Sequence, residues 1–261
     1  LSLESWIAQD GLQALKIKLG GDSVEDNLQR FVEVWKLAEK AAVRLTSIDF
    51  NGTLPDLEAL EEFLSRLRER SPAGYKTVCY VEEPCAIGEC SFKEVADLNS
   101  GVPLLILDES VSSVAELEEA VAKGWRGVAL KTCKGQSESL LILALAKELG
   151  LRFTVQDLTN PMLAQLTHLL LGSRSGAPLG VESNCMQFYP EASWYEAAVH
   201  PGAFSRGNGE LRLDSIEGAG FGYRLREINR PLPEPLYRRE GGGLGQGRSG
   251  GEPSIGERSS R

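Results

Sequence analysis

The chain has 261 residues, 25% of them charged and 42% hydrophobic, with a formal net charge of −9. These values fit a soluble globular protein with one large or two small domains, and the negative balance gives nucleic-acid binding no electrostatic support. No apolar run reaches the length of a bilayer span and no signal-peptide pattern opens the chain, so a membrane partner is not expected and the expected compartment is cytoplasmic.

The chain order alternates. Ser2 to Asp10 reads as a short helix ended by Gly11, and Leu12 to Lys18 as a strand turned by Gly20 and Gly21. Asp22 or Ser23 can cap a helix whose apolar stripe includes Leu28, Phe31, Trp35 and Ala38. Leu45 to Asp49 is a strand, Pro55 to Arg70 a helix, Thr77 to Glu82 a strand. A short helix around Phe92 to Leu98 leads to a strand from Pro103 to Leu107, then a helix from Val114 to Lys123 and a strand from Gly127 to Lys131. Ser137 to Leu149 is helical, Arg152 to Gln156 a strand, Pro161 to Leu171 a helix, and Gly180 to Glu182 a last short strand. Regular alternation of this kind predicts a parallel sheet with right-handed crossovers. Seven strands, several ending in an acid, favour a TIM-like α/β barrel of (β/α)7β type, because closure brings the strand ends to one mouth. Residues 1–206 are assigned to the barrel, 207–229 to an appended ribbon with glycine turns, and 230–261 to a disordered tail rich in Gly, Ser and charge.

Five cysteines without dense spacing (Cys79, Cys85, Cys90, Cys133, Cys185) predict reduced thiols, and Cys85 with Cys90 lacks the second pair that a zinc site needs. Only two histidines occur: His168, inside an apolar helical run, reads as packing, and His200 as an inert loop residue. The run GSRSG after the last long helix could hold an anion if it opened a helix.

Chemistry concentrates at the strand ends. Asp49, Glu82 and Asp108 each close an apolar run, and Lys16, Lys18, Lys131 and Lys134 bracket them. Three carboxylates meeting at one mouth repel one another unless a hard divalent cation holds them. Lysines facing each other across a metal-bound substrate suit removal and return of a proton beside a carboxylate.

The ordered set K-x-K at Lys16 and Lys18, D-x-N at Asp49 and Asn51, E-E-P at Glu82 to Pro84, D-E-S at Asp108 to Ser110 and K-x-x-K-G at Lys131 to Gly135 resembles the enolase superfamily, and more narrowly its mandelate-racemase/muconate-lactonizing-enzyme members of the muconate-lactonizing subgroup. The resemblance runs from about Leu12 to Leu225, where GAGFGYRL is similar to a family segment that returns toward a capping domain. It implies Asp49, Glu82 and Asp108 as ligands of Mg²⁺, with Mn²⁺ as an alternative, and Lys18 and Lys131 as the acid/base pair. Lys16, Asn51, Lys134, Asp157, Glu182 and Asn184 become substrate-binding candidates. It also implies a capping domain and a first barrel strand that do not precede Ser2 in this sequence, and a full-length parent that is a homo-oligomer.

The implied reaction is abstraction of a proton α to a carboxylate through a metal-stabilised enediolate. A racemase, epimerase or cycloisomerase acting on a small carboxylate, amino-acid-derived ones included, is the first expectation. Syn-elimination and a non-catalytic barrel remnant serving as an interaction module are the alternatives. The mandelate-racemase branch itself is disfavoured, because Lys131 stands at one key strand end and no histidine follows the strand at Gln156. Dipeptide epimerases carry D-x-D where this chain has Glu182, Ser183 and Asn184. Clustered cations are expected to lower the pKa of the basic lysine.

Overall fold

The computed structural model describes residues 1–41, 43–86 and 103–231. The expected helix at Phe92 to Leu98 lies outside them. Among these residues seven parallel strands run in chain order: β1 Ala14–Lys18, β2 Leu45–Asp49, β3 Val78–Glu82, β4 Leu104–Ile106, β5 Gly127–Leu130, β6 Arg152–Gln156 and β7 Val181–Glu182. The ladders β1-β2-β3-β4 and β5-β6-β7 are joined where Leu107 bridges Val128. These strands are the parallel staves of the predicted barrel.

Between them lie α1 Leu3–Asp10, α2 Val24–Lys40, α3 Leu57–Arg70, α4 Pro72–Tyr75, α5 Val114–Ala122, α6 Gln136–Glu148 and α7 Leu163–Ser175. The helices start where local chemistry says they should. Ser2, Ser23, Asp56 and Ser113 accept from backbone N–H groups of the first turns, and Ser113 with Glu116 completes a capping box. Gly11 ends α1 in the left-handed conformation that suits glycine.

Alternation along the strands separates two environments. Ile17, Ile48, Val81, Leu105, Val128 and Val155 join the helices in the main core, where Phe50 and Phe63 meet edge to face at 5.3 Å. Tyr80, Ile106 and Ala129 form a second cluster on the opposite face, the barrel interior. Continuing along that face leads to Glu82, Asp108 and Lys131, one period later in each segment. The fold thus delivers polar side chains to the C-terminal mouth above an apolar floor.

Gly127 sits at the junction of the two ladders. A Cβ there would lie 2.3 Å from Ile106 Cγ2 and 3.2 Å from the Leu105 carbonyl oxygen. Gly127→Ala is therefore expected to overpack the interior and cost about 1–3 kcal/mol, read as a lower denaturant midpoint at unchanged m-value. An unchanged midpoint would mean that the junction yields freely.

Between the first and last strands there is a gap: among the described residues no backbone ladder joins β7 to β1. Side chains cross it instead. Arg206 donates from Nε to Asp10 Oδ2 (2.9 Å) and from Nη1 to the Ser183 carbonyl (2.7 Å), and the Gly209 N–H meets the Asp10 carbonyl.

Three expectations are corrected. The ribbon over 207–229 is instead a chain of turns, with one isolated bridge between Gly207 and Glu210 and a 3-10 turn at Leu225–Glu227. Its alternating residues find no partner strand among the described residues. The helix expected to stop at Leu171 runs through GSRSG to its left-handed cap at Gly176, so that run offers carbonyls rather than N–H groups to an anion. Cys79, Cys133 and Cys185 are free thiols, whereas the buried Cys85 is disulfide-bonded, so reduction is not general.

After β7 come α8 Cys185–Phe188, α9 Trp194–Val199 and α10 Pro201–Phe204. His200, between α9 and α10, clasps the turn segment. Its Nε2 accepts from the Arg224 backbone N–H (3.1 Å), its Nδ1 meets Ser215 Oγ (3.1 Å), and its ring stacks on Tyr223. Burial, helped by Arg224, lowers its pKa below 6.5. A histidine favoured neutral in the fold gives stability that is present above pH 6.5 and lost as pH falls toward the folded-state value. The stability difference between the wild type and His200→Gln is expected to shrink from pH 7.5 to pH 5.5. A constant difference would remove His200 as a titrating clasp.

Candidate active site

Lys16 is the hub. Its ammonium lies 2.6 Å from Glu82 Oε1, 3.0 Å from Asp49 Oδ2 and 3.0 Å from Glu182 Oε2, and donates to Gln156 Oε1 at 3.2 Å. Gln156 in turn donates to Glu82 Oε2 at 2.6 Å, so both oxygens of this fully buried carboxylate are engaged. Lys18, half exposed, pairs with Asp49 and donates to Asn51 Oδ1 (3.2 Å). Lys131, buried, pairs with Asp108. The order around the mouth is Lys18 on β1, Asp49 on β2, Glu82 on β3, Asp108 after β4 and Lys131 after β5. The two lysines flank the three acids.

Electrostatics follow from burial and pairing. Burial pushes the Glu82 carboxyl up to about 8, with the neighbouring charges of Asp49 and Asp108 adding to it and Lys16 opposing. Burial would also raise Asp49, but Lys16 and Lys18 outweigh it and hold this carboxyl below its ordinary value. For Asp108, Lys131 and Lys134 outweigh burial in the same way. Burial alone would lower Lys16, yet Glu82, Glu182 and Asp49 together raise it far above the usual lysine value, and Asp108 raises Lys131 against its own burial. For Lys16 and Lys131 the expected depression by clustered cations is thus reversed: carboxylates surround these two ammonium groups closely enough to hold their protons.

The remaining candidates separate by contact. Asn51, at φ 50°, accepts from Lys18 and donates to Glu109 Oε1 (2.9 Å). Glu182 joins the Lys16 hub, and Asn184 donates to Glu182 Oε1 at 3.3 Å. Asp157 turns away from the hub, accepting from the N–H groups of Asn184 (2.9 Å) and Thr159 (3.2 Å). Lys134 donates to the Asp108 and Val111 carbonyls, pinning that loop.

Sequence reasoning passed over Glu83, Gln156 and Arg206 as site residues. Glu83, at φ 38°, accepts from the Asp108 N–H and from Ser110 Oγ, which fixes the backbone that presents Asp108. Strand alternation separates it from Glu82, but nothing in one sequence reveals its partners across the sheet.

The donor set fits a hard divalent cation by chemistry: three buried carboxylates from adjacent strand ends. In this structure each acid is turned onto a lysine, and among the described residues no three Asp, Glu, His or Cys side chains are grouped around a common point. No helix among those residues is long and apolar enough to cross a membrane.

The family model described as Enolase C-terminal domain-like matches residues 2–228. The chain is similar to the mandelate racemase/muconate lactonizing enzyme from Roseiflexus sp., at TM-score 0.61 and 18% identity over 71% of this chain and 52% of that one. It is similar to the mandelate racemase/muconate lactonizing protein from Herpetosiphon aurantiacus, at TM-score 0.59 and 20% identity over 69% of this chain and 50% of that one. Muconate lactonizing enzyme from Pseudomonas putida matches at TM-score 0.56 and 18% identity over 68% of this chain and 48% of that one. The chain spans about half the length of these solved relatives, and at such identities the likeness shows the fold. Comparison with curated protein sequences finds no match.

Proposed function

Because this chain belongs to the enolase C-terminal domain-like family, we propose that its barrel mouth abstracts and returns a proton α to the carboxylate of a small substrate, as a racemase, epimerase or cycloisomerase. The observation that carries this reading is the order around the mouth: lysines on β1 and after β5, with three buried acids between them.

Asp49, Glu82 and Asp108 would hold the cation, Mg²⁺ or Mn²⁺. Such an ion would supply positive charge at the substrate carboxylate. Lys16, next to Glu82 and Glu182, is placed to neutralise charge growing on the substrate's carboxylate oxygens. One of Lys18 and Lys131, as the free amine, takes the α-proton into its lone pair. The other, as ammonium, returns a proton to the α-carbon from the opposite side and becomes the free amine. Gln156 and Asn51 orient Glu82 and Lys18.

A non-catalytic interaction module is the second reading, and the tight ion pairs that keep Lys16 and Lys131 protonated favour it. Exchange of substrate α-protons in deuterated water, with Mg²⁺ and a panel of small carboxylates, separates the two. Exchange that needs the cation is expected. No exchange across the panel would favour the module.

A further inference from the structure

A polar cavity of about 120 Å³ lies beside the lysine–carboxylate cluster, sharing Gln156 with it, between the 3-10 turn Thr132–Lys134 and the first turns of α7. That is far above the roughly 10–15 Å³ needed for one water. Thr132, Cys133, Asp157, Asn160, Thr167 and His168 line it, together with Gln156. Two buried groups there lack what burial normally demands. His168 is 2% exposed, and neither ring nitrogen makes a well-aligned hydrogen bond, although the backbone of Glu182 and Gln156 lies close enough to favour its charged form. Asp157 is 6% exposed and, among the described residues, accepts from two backbone N–H groups and no cation. A buried carboxylate held by two backbone N–H groups but no cation, beside a buried imidazole without a well-aligned hydrogen bond, leaves the cavity short of donors.

The lining specifies what that is. Thr167 Oγ donates to the Ala164 carbonyl (2.9 Å), so its contact with Thr132 Oγ (3.2 Å) is donated by Thr132, whose own lone pairs stay open. Asp157 uses one lone pair on each oxygen for Thr159 and Asn184, leaving two. Asn160 Oδ1 already accepts from Leu158. Burial lowers the His168 pKa, although Asp157 opposes this, so one ring nitrogen presents a lone pair. Open acceptors and one negative charge dominate, and no lysine or arginine lines the cavity. A divalent metal is disfavoured, because Asp157 is the one carboxylate in the lining.

We propose that this cavity binds a primary ammonium group, its three N–H donors meeting Asp157, the Thr132 hydroxyl and His168. The group is either the distal amine of a substrate or a free small amine. The inference stands apart from the proton-abstraction reading, since its test needs no turnover.

With two histidines in the chain, ring nitrogen signals are few, and His168→Gln identifies those of His168. Methylammonium titrated at pH 7.5 into the nitrogen-15-labelled full chain is expected to move the His168 ring signals saturably and leave His200 still. Tetramethylammonium and acetate at equal ionic strength should do neither. Asp157→Asn is expected to weaken binding at least tenfold. Where that variant does not fold, Thr132→Val must weaken it measurably. No saturable shift, an equal shift with tetramethylammonium, or wild-type affinity in the folded variants would overturn the proposal and leave a water-filled cavity. A short ω-amino carboxylate that binds more tightly than methylammonium, with the gain lost in Lys16→Met, assigns the amine to a substrate. Equal affinity assigns it to a free amine.

Discussion

Lys16→Met is expected to destabilise the fold by about 3–5 kcal/mol, because it removes the shared cation from buried acids and leaves their charge uncompensated. Asp49, Glu82 and Glu182 all lie within 3.0 Å of that ammonium. For a chain of this size the loss corresponds to a fall in Tm on the order of 10 °C. The sign of its pH dependence follows from Glu82. This carboxyl is raised to about 8 in the fold against an ordinary 4.5, so the stability it contributes is fully present below pH 4.5 and is lost as pH rises through about 8. Without Lys16 the folded-state value climbs further, so the penalty should be larger at pH 8 than at pH 6. Mg²⁺ should then restore stability to Lys16→Met more than it adds to the wild type, since the ion replaces the missing charge and meets no internal competitor. Equal Mg²⁺ effects on both proteins, or an effect matched by NaCl at the same ionic strength, would remove the acid triad as a cation site.

Much of this arrangement is written locally, and the parts that are not share a cause. The strand spans ending at Asp49, Glu82 and Gln156 follow from short apolar runs bounded by turns and caps. Alternation alone separates Glu82 from Glu83 and puts Lys16 on the same face as Lys18. That Lys16 rather than Lys18 becomes the hub depends on Glu182 and Gln156 approaching across the gap between β7 and β1, a contact over 140 residues of sequence for Gln156. The reversed direction of the lysine shifts has the same origin: counting cations along the chain misses how closely the acids fold around each one. The helix through GSRSG was hidden by composition, yet Gly172 serves packing there, since a Cβ would meet Val181 Cγ2 at 2.7 Å. His168 sits in an apolar pattern that reads as core. Only the fold reveals that Asp157 and a cavity lie beside it.

Lys131→Met is expected to lower α-proton exchange by about 10²–10⁴-fold from one stereoisomer of an active substrate, the range for loss of a positioned general acid or base. The direction should be mirrored in Lys18→Met, which would spare that isomer and fail on its enantiomer. The two variants differ in their structural side effects, and this makes the pair informative. Lys131 is buried against Asp108, which keeps Lys134 at 3.0 Å as a remaining cation, so Lys131→Met carries a folding penalty that denaturant titration can subtract. Lys18 is half exposed at its side chain and Asp49 keeps Lys16 at 3.0 Å, so Lys18→Met should fold almost as well as the wild type. Loss confined to one isomer in a well-folded Lys18→Met therefore reports chemistry and not collapse of the site. A two-base mouth also predicts that each variant retains binding of the substrate it no longer deprotonates, with kcat falling and KM nearly unchanged. If Lys18→Met and Lys131→Met lose exchange from the same isomer, a single face of the substrate is served, and the chemistry is elimination or one-base exchange instead of inversion.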